Sequence, residues 1–426
     1  MTDRFRQSPL LIGLPALLVV ACAVWGGWHW RQRRSTRDTE ERLRSAVEQL
    51  TGGQIDRPGL SELVERCGSS PRHRSVLPLL KGALEFADGR YAESLEELTR
   101  LEPGGATRKP ALLLVGQCLM GLGRPIEAAE VFRQLIELDP GSLPARYALS
   151  RYWYDRGSVA QARYELDQIT RIDPGQWRAW RELGGHAYDF SRYAEAVRYL
   201  QEALALDLPP PERQQVLLEL AQSHFFRREY AEAVERFDQA NPTPLSEALK
   251  AEALAALGRR DESQAALTQA AALDRTDRTV RLVTARLAIQ DGEPERALDP
   301  LLEQLEVNPH DRECRFQLSQ AYSALGRADE AAAEREKFAE LDRQFDRYTD
   351  LSTRVTTEPG NIQLREELAE LCAELGQQAQ AASWRRAVQI LRQELASREP
   401  DGDSLLEETT DGGRESAPAT PDPSPR

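Results

Sequence analysis

The chain has 426 residues, 29% charged and 41% hydrophobic, which suits a folded body of several domains or one long repeat array. The net charge of −14 is uneven: residues 1–37 hold six Arg and one Asp, residues 397–426 three Arg and eight acids, and the stretch between carries the whole −14. An acidic body argues against nucleic acid as a partner, because phosphate binding needs a basic face. Only four of the 55 basic residues are Lys (Lys81, Lys109, Lys250, Lys337), an Arg bias that points to a GC-rich, bacterial-type genome. Five cysteines (Cys22, Cys67, Cys118, Cys314, Cys372) stand singly without a C-x-x-C, the pattern of buried small residues rather than of a disulfide framework.

In chain order, a short head (1–8) precedes an apolar stretch from Pro9 to Trp30, PLLIGLPALLVVACAVWGGWHW, 22 residues without a formal charge. As a helix it spans roughly 33 Å, enough for a hydrocarbon core of about 30 Å. Trp25, Trp28 and Trp30 gather at its end, where indoles prefer the interface, and Arg31, Arg33, Arg34 and Arg37 follow at once. We expect a retained single-pass anchor over 9–30. The alternative is a lipoprotein, since Val19-Val20-Ala21-Cys22 resembles a lipobox, although AVWGGWHW after it stays apolar. The flanking Arg and the unpaired cysteines lean towards a cytoplasmic body, with the periplasmic side left open. Residues 31–75 read as a basic juxtamembrane and helical linker.

The body, 76–395, repeats itself. LIELDP (135–140) and ITRIDP (169–174) place Pro140 and Pro174 34 residues apart. Units align at 109–142, 143–176, 177–210, 214–242, 244–277, 278–311, 312–345 and more weakly 362–395, with a degenerate one near 76–103 and an irregular helix at 345–361. The eighth position is small (Gly116, Ser150, Gly184, Ala221, Ala251, Ala285, Ser319, Ala369), as is the twentieth (Ala128, Ala162, Ala196, Ala233, Ser263, Ala297, Ala331, Ala381). Closely crossing helices need such residues at their contact. Position fifteen is mostly Gly (Gly123, Gly157, Gly258, Gly292, Gly326, Gly376), where a first helix must end. Pro140, Pro174 and Pro309 stop second helices. Apolar spacings of three, four and seven mark helices, and no alternating pattern competes.

These columns resemble the tetratricopeptide repeat (TPR) family, W-x2-L-G-x2-Y, then A-x3-F, then P. The best unit, 177–210, puts Trp180, Leu183, Gly184, Ala196, Leu200 and Ala203 on the motif, with Ala187 in the Tyr column and Tyr188 one step late. The resemblance implies an all-α protein: a right-handed α-solenoid of about eight helix pairs, preceded by one transmembrane helix. Residues 396–426, acidic and Pro-rich, are expected to be disordered.

A search for chemistry finds no H-E-x-x-H, Walker loop or G-x-S-x-G, so no catalytic, cofactor or metal site is expected. His186 and His224 hold neighbouring positions without an obvious acidic partner and read as surface polar residues. The family's first helices line a groove. Carrying its groove positions over implies a wall of Tyr147, Arg151, Tyr154, Arg178, Arg181, Tyr188, Gln222 and Phe225, while later units offer the bland Ala248, Glu252, Ala255 and Ala256. Arg and aromatic residues dominate binding hot spots. The expected function is a membrane-anchored scaffold that binds a protein or peptide in this groove. The alternatives are an enzyme with an unrecognised site and a purely structural spacer.

Overall fold

The computed structural model describes residues 37–101, 104–358 and 360–396. Among the described residues there are α-helices and short 3-10 turns but no strand. The apolar stretch 9–30 and the tail 397–426 lie outside them. No helix of the described residues is long and apolar enough to cross a membrane.

The helices fall into two compact units, one ending at Pro242 and one starting at Thr243. The first contains α1 (37–51), α2 (Arg57–Gly68), α3 (Leu77–Ala87), α4 (Tyr91–Thr99), α5 (Arg108–Gly121), α6 (Pro125–Leu138), α7 (Leu143–Asp155), α8 (Val159–Ile172), α9 (Trp177–Asp189), α10 (Tyr193–Leu204), α11 (Pro210–Phe226) and α12 (Tyr230–Gln239). The second contains α13 (Pro244–Ala256), α14 (Arg260–Asp274), α15 (Arg278–Gln290), α16 (Glu295–Val307), α17 (Arg312–Ala324), α18 (Ala328–Thr357), α19 (Ile362–Glu374) and α20 (Gln378–Ala396). From α5 to α20 the helices pair as the eight sequence units foresee. The degenerate unit is the pair α3–α4. A further pair, α1–α2, lies within the linker stretch and buries Ala46, Leu50, Leu60 and Leu63 against Leu79 and Leu80 of α3. The helix expected over 345–361 is present but regular and part of α18, which runs unbroken to Thr357.

The small columns sit where paired helices cross. A Cβ on Gly116 would come within 2.4 Å of the Phe132 ring, and one on Gly184 within 2.7 Å of Leu200. Large side chains four residues beyond the small column therefore enter the space that a side chain at position eight would fill. Where the twentieth position carries Ser, its hydroxyl finds the facing helix: Ser263 Oγ donates to the Ala251 carbonyl at 2.7 Å. At the eighth position Ser319 Oγ instead donates to the Phe316 carbonyl of its own helix. The glycines at position fifteen are left-handed, from φ 71° at Gly123 to 80° at Gly292. The two units without that glycine use Ser191 (φ 57°) and Arg228 (φ 61°) in the same geometry. An L-residue pays about 1–2 kcal/mol for it.

In three units a second column joins the pair to the one before. Trp180 Nε1 donates to the Pro174 carbonyl at 3.0 Å. Arg146 does the same to Pro140 and Arg315 to Pro309, each donor lying six residues past its proline. The arginines also reach a glutamate on their own second helix, Arg146 to Glu165 and Arg315 to Glu334, both at 2.7 Å with little exposure. Trp180 is thus half-buried at the edge of the core, with its ring 6.2 Å from that of Tyr199. Arg146 and Arg315 can stand where the motif has Trp because each donates to the same kind of carbonyl while covering apolar surface with its stem.

Candidate functional site

In the first unit the backbones of α7 and α9 scarcely approach, and a cleft of about 1150 Å³ opens between them. Tyr147, Arg151 and Tyr154 come from α7, at a spacing of four and three. Arg178, Glu182 and His186 come from α9, at a spacing of four, so each triplet shares one helix face. The turn at 51–54 between α1 and α2 closes one side, with Gly53 against Pro144.

The cleft's charged groups are unevenly committed. Arg178 forms no ion pair among the described residues; its guanidinium lies 5.9 Å from the ring of its neighbour Trp177. Arg151 meets only Asp155, at 3.8 Å, with its side chain 78% exposed. Glu182 is half-buried, and burial pushes its carboxyl above the usual range, an effect that Arg178, Arg181 and Arg151 partly oppose. Burial lowers the affinity of His186 for a proton, against the pull of Asp189. The Tyr154 ring stacks on that imidazole at 4.0 Å, and its hydroxyl donates to Asp189. Burial and the bond to Asp189 raise the Tyr154 phenol to about 12, so it stays a neutral donor at neutral pH. Tyr147 is likewise held protonated by burial and by the nearby Glu182.

Of the eight residues that the family pattern places on one wall, Tyr147, Arg151, Tyr154 and Arg178 line this cleft. Of the other four, Arg181 and Tyr188 face α11, Gln222 lies on α11 opposite Tyr188, and Phe225 packs within the α11–α12 pair. Arg181 grips Glu219 of α11 with both Nε and Nη2, at 3.2 and 2.7 Å from Oε1. Tyr188 donates to Gln222 at 3.0 Å, and Phe225 packs edge-on against Phe226 and Tyr230. The division is helical phase: 178, 182 and 186 turn towards α7, whereas 181 and 188 turn towards α11. The polar tips of Arg181 and Tyr188 are thus already satisfied within the protein.

Sequence reasoning missed Glu182 and His186, although their spacing of four from Arg178 carries the signal. It also missed the 51–54 turn, about 100 residues away in the chain, for which no local pattern exists. His224 does have an acidic partner, Glu229 at 2.7 Å from Nδ1, which the sequence comparison with His186 overlooked. In the bland half, Ala248 is fully buried and Glu252 binds Arg286 at 2.5 Å. Among the described residues no group of His, Cys, Asp and Glu is placed to hold a metal ion. Cys67, Cys118, Cys314 and Cys372 are buried and free.

Family models described as tetratricopeptide repeat match residues 119–185, 181–243, 249–306 and 313–345, together half of the chain. No curated protein matches. Among solved structures, one from the functional characterization of PilF of Pseudomonas aeruginosa is 23% identical and covers 48% of this chain and 94% of its own, at a TM-score of 0.40. A human IFIT1 dimer with PPP-AAAA is 15% identical over 78% of this chain and 87% of that one, at 0.38. MamA from Desulfovibrio magneticus RS-1 is 20% identical over 39% and 92%, at 0.34.

Proposed function

The chain belongs to the tetratricopeptide repeat family, and on that premise we propose that it is a scaffold that holds a peptide segment of a partner protein in the cleft between α7 and α9. One observation carries this reading: two arginines without a close ion pair stand beside tyrosine rings in an open cleft, while most other arginines among the described residues meet an acid, as Arg181 meets Glu219. A guanidinium fork pairs with carboxylates and lies flat on rings, and tyrosine adds apolar area with a polar tip. The ligand that suits them is an extended or helical segment with acidic and apolar side chains. Glu182 and the neutral His186 supply acceptors for its backbone or polar groups.

We assign the chain no catalytic step; what supports this is that helix pairs occupy nearly all of residues 37–396. We further read 9–30 as a single-pass anchor, on its length, its terminal Trp cluster and the Arg that follow, with a lean to a cytoplasmic body. Resistance of the full chain to alkaline extraction supports the anchor; recovery in the soluble fraction sinks it, and a mature form starting at Cys22 indicates lipidation instead. The binding reading is tested with the full chain on an array of acidic-apolar peptides, beside Arg151→Ala/Arg178→Ala. Capture that the double variant leaves untouched removes the cleft from the function and favours the spacer.

A further inference from the structure

In the second unit the first helices follow one another, α15 on α13 and α17 on α15, until α18 interrupts the series. At 30 residues α18 overruns its partner α17, and α19 seats on the overrun. There Leu341, Leu351 and Val355 pack with Leu364, Leu368 and Leu371. The face of α17 on which another first helix would rest is left open. It forms a groove in two connected parts of about 610 and 570 Å³, which share Phe316 and Phe338. Their rings lie 5.7 Å apart, and Phe316 remains 42% exposed.

The charges around the groove are nearly all matched. Asp311 holds Arg278, Glu313 holds Arg286, and Asp342 holds Arg312, whose guanidinium also covers the Phe345 ring at 4.7 Å. Arg335, in the groove beside Phe338, has no ion pair among the described residues. The groove therefore presents two aromatic rings and one free cation. Its complement is a segment with apolar and acidic residues side by side.

We propose that this groove is occupied by the chain's own segment Ser404–Glu408, with Leu405 and Leu406 on Phe316 and Phe338 and Glu407 or Glu408 on Arg335. Residues 397–426 carry eight acids and three Arg, and Leu405 and Leu406 are their only large apolar residues. They follow directly on α20 in the same unit. The turn before α20 lies at the groove's end, where a Cβ on Gly376 would sit 3.3 Å from the His310 ring. The 19 residues of α20 lead about 28 Å away from that point. Leu405 is the ninth residue past Ala396, and nine extended residues reach back about 30 Å. Burial of two leucines against aromatic rings supplies the affinity, and the carboxylates set the direction.

The test uses the full chain with Ser404→p-benzoylphenylalanine, irradiated and mapped by mass spectrometry. Adducts are expected on residues 312–345 of the same molecule, at a yield that tenfold dilution does not change. Leu405→Asp with Leu406→Asp is expected to lower that yield at least about tenfold. Arg335→Glu lowers it up to about fivefold, as befits an exposed pair. Adding Glu407→Arg and Glu408→Arg to Arg335→Glu restores it. Adducts scattered along the chain, adducts between chains that fade on dilution, or a yield indifferent to the leucine changes overturn the proposal. None of these outcomes bears on the cleft between α7 and α9, so the two assignments fail separately.

Discussion

The row of first helices in the second unit and the α7–α9 opening in the first are built from the same repeat, yet they treat their arginines in opposite ways. Between α13, α15 and α17 the backbones lie close, and Arg286 of α15 bridges Glu252 and Glu313 at 2.5 and 3.1 Å, fastening three helices together. Between α7 and α9 the backbones stay apart, and Arg151 and Arg178 face the gap without a carboxylate within 3.5 Å among the described residues. In the first unit itself, the contact of α9 with α11 is again tied by a bidentate pair, Arg181 with Glu219. Whether an arginine is structural or available thus depends on the spacing between neighbouring pairs, and not on its place in the repeat.

The sharpest way to break this contrast is at its two ends. Arg151→Ala with Arg178→Ala is expected to weaken capture of an acidic-apolar peptide by about 2–4 kcal/mol in total, with the melting temperature unchanged. A fall in melting temperature of several degrees would show those arginines to be structural after all. Arg286→Ala should do the reverse, costing roughly 1–2 kcal/mol of stability because it leaves two partly shielded carboxylates unpaired, with peptide capture intact. Arg181→Ala belongs with Arg286→Ala, so denaturant midpoints that group it with Arg178→Ala would undo the division of α9 into two faces. The turns offer a smaller effect: Ser191→Gly and Arg228→Gly should each stabilise by about 0.5 kcal/mol, since relief of the left-handed strain outweighs the entropy glycine loses on folding. A loss of stability at either position would mean that its side chain does more than fill a turn.

The smallest effect expected is a pH dependence. Burial depresses the proton affinity of His186 in the folded state, so the folded protein prefers the neutral ring. The stability this gives is present above the unfolded value, near 6.5, and declines as pH falls through it towards the depressed folded value. Stability of the full chain measured from pH 8 to 5 should therefore slope less in His186→Gln. Equal slopes would place the titration on another group.

Much of the fold was legible in the residues. The small and large columns, the glycine turns and the prolines after α6, α8 and α16 are each consequences of contacts within one helix pair, so a 34-residue period reports them directly. Arg146 and Arg315 were harder to recognise, because the motif names Trp at that column while the physical requirement is a donor to the proline carbonyl. The groove pattern identified Tyr147, Arg151, Tyr154 and Arg178 among the cleft's residues but grouped them with Arg181, Tyr188 and Gln222, which serve the contact of α9 with α11, and with Phe225, which packs within the α11–α12 pair.

What the sequence by itself determined is the pairing of helices from α5 to α20, the glycine and proline positions that end many of them, and the small columns turned inwards, because backbone hydrogen bonding, capping and apolar periodicity act over a few residues. What only the tertiary structure decided is the distance from one pair to the next. The opening beside α7, the turn at 51–54 that borders it, and the displacement of α19 onto the far half of α18 follow from that distance. It is the sum of many side-chain volumes packed between helices far apart in the chain, where a single Cβ at Gly116 or Gly184 is already too much.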